Sequence, residues 1–470
     1  MFNLQFLGPE DVEAIHQATL RVLAEVGFVL KERTSREILV GAGARINGER
    51  VLLPPDLVEK CILLAGKKVV VRGRGGTVRT LGDGNLYFHN LGGARDVLDP
   101  MNLTKRPASL ADVRDSTRVL DALDNCHTIT PFFTPRDVPG SVMSLAMYRH
   151  ALPFTLKPLQ GPGVQYPREV HYAVKMAQVI GAPQEGFTLS LSPVSPLTLP
   201  DYEAQAIIEI AQLGISFAPL PCPTAGTTAP FSLAGAITQQ NAEVLLAVVL
   251  AQLVRPGLPI IYCGRLAAME PRTGVSVWGG VEMGLASAAT VQVGHRYGFA
   301  VNVYGFSTNS HIIDAQNGFE RALNAVIPAL AGADELSGIG EMEAGVSSSY
   351  AQMVLDDEFV GSILRTRRGL AVNTDALAVD VIAAVMDGTH NYLGQKHTMK
   401  YLKSGEVALT KLAERGSWET WERGEKRSIL ERAQAEAERI LREHKVPPLD
   451  AAQDRELEAL LAAAEQELKP

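Results

Sequence analysis

From about residue 128 the chain falls into a repeating rhythm, and this rhythm constrains the fold more than any other feature. A short β-rich run gives way to Pro, Gly or Ser residues and then to a longer helical pattern. The β runs are expected at 128–133, 154–159, 187–191, 215–220, 259–263, 300–306, 335–339 and 370–373. Helices are expected near 141–151, 167–181, 201–213, 231–254, 278–297, 316–331, 347–367 and 374–386. Such alternation predicts a parallel sheet with helices outside it, and eight units predict closure into a (β/α)8 TIM barrel. A doubly wound open sheet is the alternative.

The flanks read differently. Apolar residues at helical spacing over 9–26 predict a helix that stops at Gly27, and Pro54-Pro55 opens a second one over 54–65. Short alternating runs at 68–72, 77–80 and 85–88, punctuated by Gly73, Gly75-Gly76 and Gly82-Asp83-Gly84, predict a small β element. The expected division is an N-terminal α+β cap over 1–100, a barrel over 101–390 and a C-terminal helical extension over 391–470. Within that extension, 417–444 reads as one charged helix, and 451–468 as a second with Leu457, Leu460, Leu461 and Glu465 on one face. Those helices would either cover the barrel or mediate assembly, and a homo-oligomer is expected.

Composition narrows the partners. A net charge of −8 without a basic block does not suit a phosphate backbone, so no nucleic acid is expected. The longest apolar stretch, Val244 to Val254, is broken by Gln252 and stopped by Arg255-Pro256, so no membrane association is expected. The N-terminus lacks a basic start with an apolar run behind it. Cys61, Cys126, Cys222 and Cys263 are widely spaced and form no CxxC. The expectation is a reduced, cytoplasmic protein.

Barrel enzymes carry their chemistry on the loops after the strands. No Walker loop, dinucleotide fingerprint, GxSxG elbow or HExxH motif is present. Aromatic residues do recur at the expected strand ends, namely Phe132, Phe133, Tyr262, Tyr304 and Phe306, and Glu341 with Glu343 adds negative charge. Rings and carboxylates together suit a quaternary ammonium ion; the same aromatics would equally serve as core. Cys222, Cys263 and His311 would make a chemically reasonable zinc site, although their spacing is long.

Several segments, in order, resemble the trimethylamine methyltransferase superfamily. They are Thr228-Ala229-Pro230, Leu233-Ala234-Gly235, Gln240-Asn241-Ala242-Glu243 and Pro256-Gly257-Leu258-Pro259, then Ser310 to Ala322 with Asp314, Gln316 and Glu320. Asp356-Asp357-Glu358, Gly394 to Thr398 and Trp418 to Gly424 continue the resemblance almost to the end. Founding members carry pyrrolysine, whereas this chain has only standard residues, so it is similar to the non-pyrrolysine branch. The resemblance implies a (β/α)8 enzyme that moves a methyl group from a quaternary amine (glycine betaine, proline betaine, carnitine or similar) to Co(I) of a corrinoid protein. The cobalamin-type cofactor would arrive on that partner, and no tightly bound cofactor or metal is expected.

For such a substrate Arg265, Asn309, His311 or Lys157 would anchor a carboxylate. The expected substrate contacts are therefore Phe132, Tyr262, Arg265, Tyr304, Asn309, His311, Glu341 and Glu343, with no catalytic acid, base or nucleophile assigned. A zinc-dependent barrel methyltransferase using another methyl donor, or a betaine-binding protein without turnover, are the alternatives.

Overall fold

Short runs rich in Val, Ile, Leu and Tyr, buried on both faces, make parallel strands. Six are regular in the computed structural model, which describes residues 4–90, 92–161, 163–164, 166–182 and 186–468. They are β1 (Tyr87–Asn90), β2 (Thr188–Leu191), β3 (Ser216–Pro219), β4 (Ile261–Gly264), β5 (Ala300–Tyr304) and β6 (Glu335–Ile339). One parallel ladder runs β4-β5-β6-β1 and another pairs β3 with β2.

Isolated parallel bridges link the ladders: His89 with Thr128, Ile129 with Leu159, and Phe217 with Ile260. The Gly161 amide donates to the Thr188 carbonyl at 3.0 Å. The fold is thus mixed α/β, with its two parallel ladders joined at both edges.

A helix follows each parallel segment. These are α1 (Leu110–Ala122), α2 (Met143–Ala151), α3 (Pro167–Val179), α4 (Asp201–Leu213), α5 (Leu233–Val254), α6 (Val281–Arg296), α7 (Ala315–Ala331) and α8 (Tyr350–Arg368). Local chemistry sets their ends. Asp314 caps α7 by accepting from the Asn317 amide, and Gly332 closes it in the left-handed conformation. The length and apolarity of α5 would suffice to cross a membrane, but it is mostly buried, packed by Pro9–Arg21, Pro55–Leu64 and α4.

The register of the expected units is corrected at both ends. Residues 370–373 form no strand; Leu370 and Val372 are exposed beyond Gly369, which ends α8. The free edge of β6 is taken instead by β1, inside the stretch 1–100 expected as a cap. The unit β1/α1 was hard to read because an antiparallel hairpin, Asp96–Asp99 with Thr104–Pro107, intervenes, and because α1 is heavily charged.

Where β6 bends, Gly338 has φ +125° and its register with β1 shifts. A Cβ at that position would lie 1.9 Å from the Gly305 carbonyl oxygen, so only glycine fits.

The single helix expected over 417–444 is two, Trp418–Arg423 and Ile429–Glu443, split where Lys426 adopts φ +52°. Ile429–Glu443 packs on α8 and α1, and Ala451–Glu467 packs on α3 and α2, burying Leu457 and Leu461.

Candidate functional site

Side chains alternate across a strand, so each parallel strand presents every second residue to the interior and the others to the surrounding helices. On β4, Ile261 and Cys263 face a cavity of about 420 Å³ at the C-terminal ends of the strands. Tyr262 points the opposite way, and its hydroxyl donates to Asn241 Oδ1 on α5 at 2.8 Å. On β5 the cavity-facing residues are Asn302 and Tyr304, and on β6 the outer one is Ser337.

The cavity floor is a connected polar layer. Glu335 is fully buried, and its carboxylate accepts from Thr128 Oγ1 at 2.8 Å, from Gln160 Nε2 at 3.1 and 3.2 Å, and from Asn302 Nδ2 at 2.6 Å. Four donor contacts of this kind make burial of a carboxylate tolerable. Asn302 Nδ2 also lies 2.9 Å from His89 Nε2, and burial pushes the His89 imidazole toward its neutral form.

Above this layer stands Arg265. It donates to Asn302 Oδ1 at 2.5 Å and to the Gly264 and Asn302 carbonyls, and its guanidinium carbon is 5.1 Å from the Tyr304 ring centroid. Arg265 is buried yet makes no ion pair with any carboxylate among the described residues. Glu203 in the first turn of α4 lines the same cavity and is also buried. Its Oε2 has no hydrogen-bond partner among the described residues, and burial lifts its carboxyl to about 7. Met143 and Met147 supply apolar wall.

Of the eight residues expected to contact substrate, Arg265 and Tyr304 line this cavity. Tyr262 is turned outward by strand parity. Phe132 is fully buried against Phe133, ring centroids 4.8 Å apart. Asn309 braces a loop, accepting from the Trp278 and Gly279 amides at 2.8 Å. Glu341 is buried beside the cavity wall, where Ser307 donates to it at 2.8 Å and burial raises it to about 8.

Glu343 lies farther out, bound by Lys105 at 2.7 Å and approached by the exposed His311 at 3.1 Å. Lys157 donates to the Leu120 and Leu123 carbonyls ending α1. No cluster of three His, Cys, Asp or Glu residues able to hold a metal exists among the described residues, so Cys222, Cys263 and His311 are not brought together.

The aromatic cage expected at the strand ends is therefore reduced to Tyr304, whose ring already faces Arg265. Sequence reasoning missed Glu203 on α4 and three polar residues inside apolar strands, His89, Asn302 and Glu335. The legible signal of the strand residues was position, since a lone Asn in Ala300–Tyr304 or Glu at the head of Glu335–Ile339 must find partners when buried.

The chain matches the family model described as "Trimethylamine methyltransferase (MTTB)" over residues 1–469. It is 31% identical over 458 residues to the trimethylamine methyltransferase MttB of Desulfitobacterium hafniense strain DSM 10664 / DCB-2, covering 95% of this chain and 91% of that protein. A glycine betaine methyltransferase of Desulfitobacterium hafniense strain Y51 is 28% identical over 471 residues, covering 98% of this chain and 97% of its own. The crystal structure of the hydroxylamine MtmB complex shares the fold, with TM-score 0.54 at 12% identity over 99% of this chain and 88% of that one. Taken with its standard residues throughout, these matches show that the chain is a methyltransferase and belongs to the trimethylamine methyltransferase family.

Proposed function

We propose that the joined ladders constitute one (β/α)8 barrel, with an N-terminal cap and a C-terminal helical extension, and that its cavity binds a zwitterionic quaternary amine. The observation that carries this reading is the pair Arg265 and Glu203. A buried guanidinium and a buried carboxyl group, neither with an ionic partner among the described residues, line one cavity. A betaine offers the complement to each: its carboxylate meets the Arg265 guanidinium, and its onium group meets the Glu203 carboxylate. The volume, about 420 Å³, lies in the range of small-ligand sites.

The chemistry asks little of the protein beyond binding. A quaternary nitrogen already bears the charge that lets a neutral amine depart, so the C–N electron pair returns to nitrogen without a proton. A Co(I) corrinoid on a partner protein supplies the nucleophile for the methyl carbon. Arg265 and Glu203 orient the substrate, the Met143 and Met147 wall excludes water from the onium, and the Glu335 layer holds Arg265 in place through Asn302.

The test mixes purified enzyme with a Co(I) corrinoid protein and a panel of quaternary amines, with trimethylamine as comparison, and follows the demethylated amine by mass spectrometry. Release of a tertiary amine from at least one carboxylate-bearing substrate is expected. No demethylation across the panel would overturn the reading.

A further inference from the structure

The loop that joins β2 to α4, residues 192–200, touches the cavity at both ends. Ser192 lines the cavity where the loop begins, and Glu203 lines it in the first turn of the helix that the loop feeds. Between them lies a turn closed by the Val194 and Thr198 backbones, whose amides each donate to the other's carbonyl at 2.9 Å. Within the turn Leu197 has φ +45°, a left-handed conformation that leucine keeps only when its surroundings dictate it.

Two elements dictate it from either side. The Val29 amide donates to the Leu197 carbonyl at 2.8 Å, and the Leu199 amide donates to the Val29 carbonyl at 2.9 Å. On the other side stands Glu243 of α5. Its Oε1 accepts from the Leu197 amide at 2.9 Å, and its Oε2 accepts from the Ser195 hydroxyl at 2.7 Å. Gln239, one helical turn earlier, donates to the same Oε1 at 2.9 Å and to the Thr228 carbonyl in the loop after β3 at 2.8 Å.

Glu243 is fully buried, does not line the cavity, and has no cation paired with it among the described residues. Burial pushes its carboxyl up, and an apolar side chain would pack α5 without that penalty. The three converging donors explain the carboxylate. It offers an acceptor on both prongs, whereas a glutamine would turn an N–H toward one of the donors. Little slack separates the turn from the helix. Only Thr198, Leu199 and Pro200 stand between Leu197 and Asp201; Leu199 is buried, and the Pro200 ring fixes its φ, here −59°.

We infer that Glu243 is a positioning residue for the reaction: through Ser195 and Leu197 it holds the turn that sets where α4 begins, and so where Glu203 meets the onium group. This rests on the onium contact proposed above for Glu203.

Calorimetric titration with two partial substrates tests it. Tetramethylammonium carries the onium alone, and tert-butylacetate carries the carboxylate alone, with carbon in place of the charged nitrogen. Glu243→Ala should weaken tetramethylammonium about tenfold and leave tert-butylacetate unchanged, and Glu243→Gln, which keeps an acceptor for the Leu197 amide, should recover part of the loss. In a Glu203→Gln background, Glu243→Ala should add nothing.

Equal weakening of both ligands, or a full effect of Glu243→Ala in the Glu203→Gln background, would overturn the inference and leave Glu243 with a structural role alone. Weakening of tetramethylammonium by Glu203→Gln but not by Glu243→Ala would overturn this inference and spare the onium contact. No weakening by Glu203→Gln would remove the onium contact itself, and this inference with it. Ser195→Ala covers the case in which Glu243→Ala does not fold. It removes one of the two loop contacts and should weaken tetramethylammonium alone, by a smaller factor; unchanged affinity would overturn the inference.

Discussion

Asn302 on β5 lies 2.6 Å from the Glu335 carboxylate through its amide nitrogen and 2.5 Å from Arg265 through its carbonyl oxygen. One neutral side chain thus joins a buried anion to a buried cation without letting them neutralise each other. Replacing it with Leu leaves both charged groups short of a partner. Asn302→Leu should lose about 1–3 kcal/mol of stability by urea denaturation and raise KM more than it lowers kcat.

Arg265 offers a separable contribution to substrate binding. Arg265→Met should weaken a carboxylate-bearing quaternary amine by roughly 10–100-fold, the size of lost charge-assisted hydrogen bonds. Tetramethylammonium, with no carboxylate, should bind the variant and the wild type alike. Calorimetric titration of both ligands against both proteins checks the contrast, and equal losses would assign Arg265 to architecture alone.

Glu203 makes binding pH-dependent with a definite sign. Burial raises its folded-state pKa to about 7, and a bound onium favours the ionised form. Affinity for a quaternary amine should rise from pH 6 to pH 8 and level off above that, and Glu203→Gln should flatten the profile. The stability effect runs the other way. Between its unfolded pKa near 4.3 and about 7 the folded state holds a proton that the unfolded state has lost, so this residue's contribution declines as pH rises through that window. The wild-type minus Glu203→Gln difference in thermal stability, measured without ligand, should fall over pH 4.5–7.

The Arg321 guanidinium and the Asp356 carboxylate form a fully buried bidentate pair. Arg321 also donates to the Glu341 carbonyl, and Asp356 accepts from the Gly340 amide at 2.6 Å, so the pair ties α7 and α8 to the loop after β6. Removing one partner strands the other charge in the interior. Arg321→Met should cost about 3–5 kcal/mol in denaturant unfolding, and Arg321→Met/Asp356→Leu distinctly less than Asp356→Leu and Arg321→Met summed.

The sequence by itself determined the alternation of β and α segments, the position of Arg265 and Tyr304 at or just beyond strand ends, and the family. These depend on local periodicity and on ordered segments, which one chain displays along its length. Tertiary structure decided which residues share the cavity. A strand's pattern says that Tyr262 and Cys263 face opposite ways, but only pairing with β5 and packing on α5 decides that Cys263 faces in. The same holds for β1, whose place beside β6 rests on contacts between residues some 250 positions apart and displaced the strand expected at 370–373. His89, Thr128, Gln160, Asn302 and Glu335 come from five separate segments, and nothing local marks them as neighbours. Their union exists because a carboxylate buried among parallel strands must collect its donors from whichever strands lie beside it.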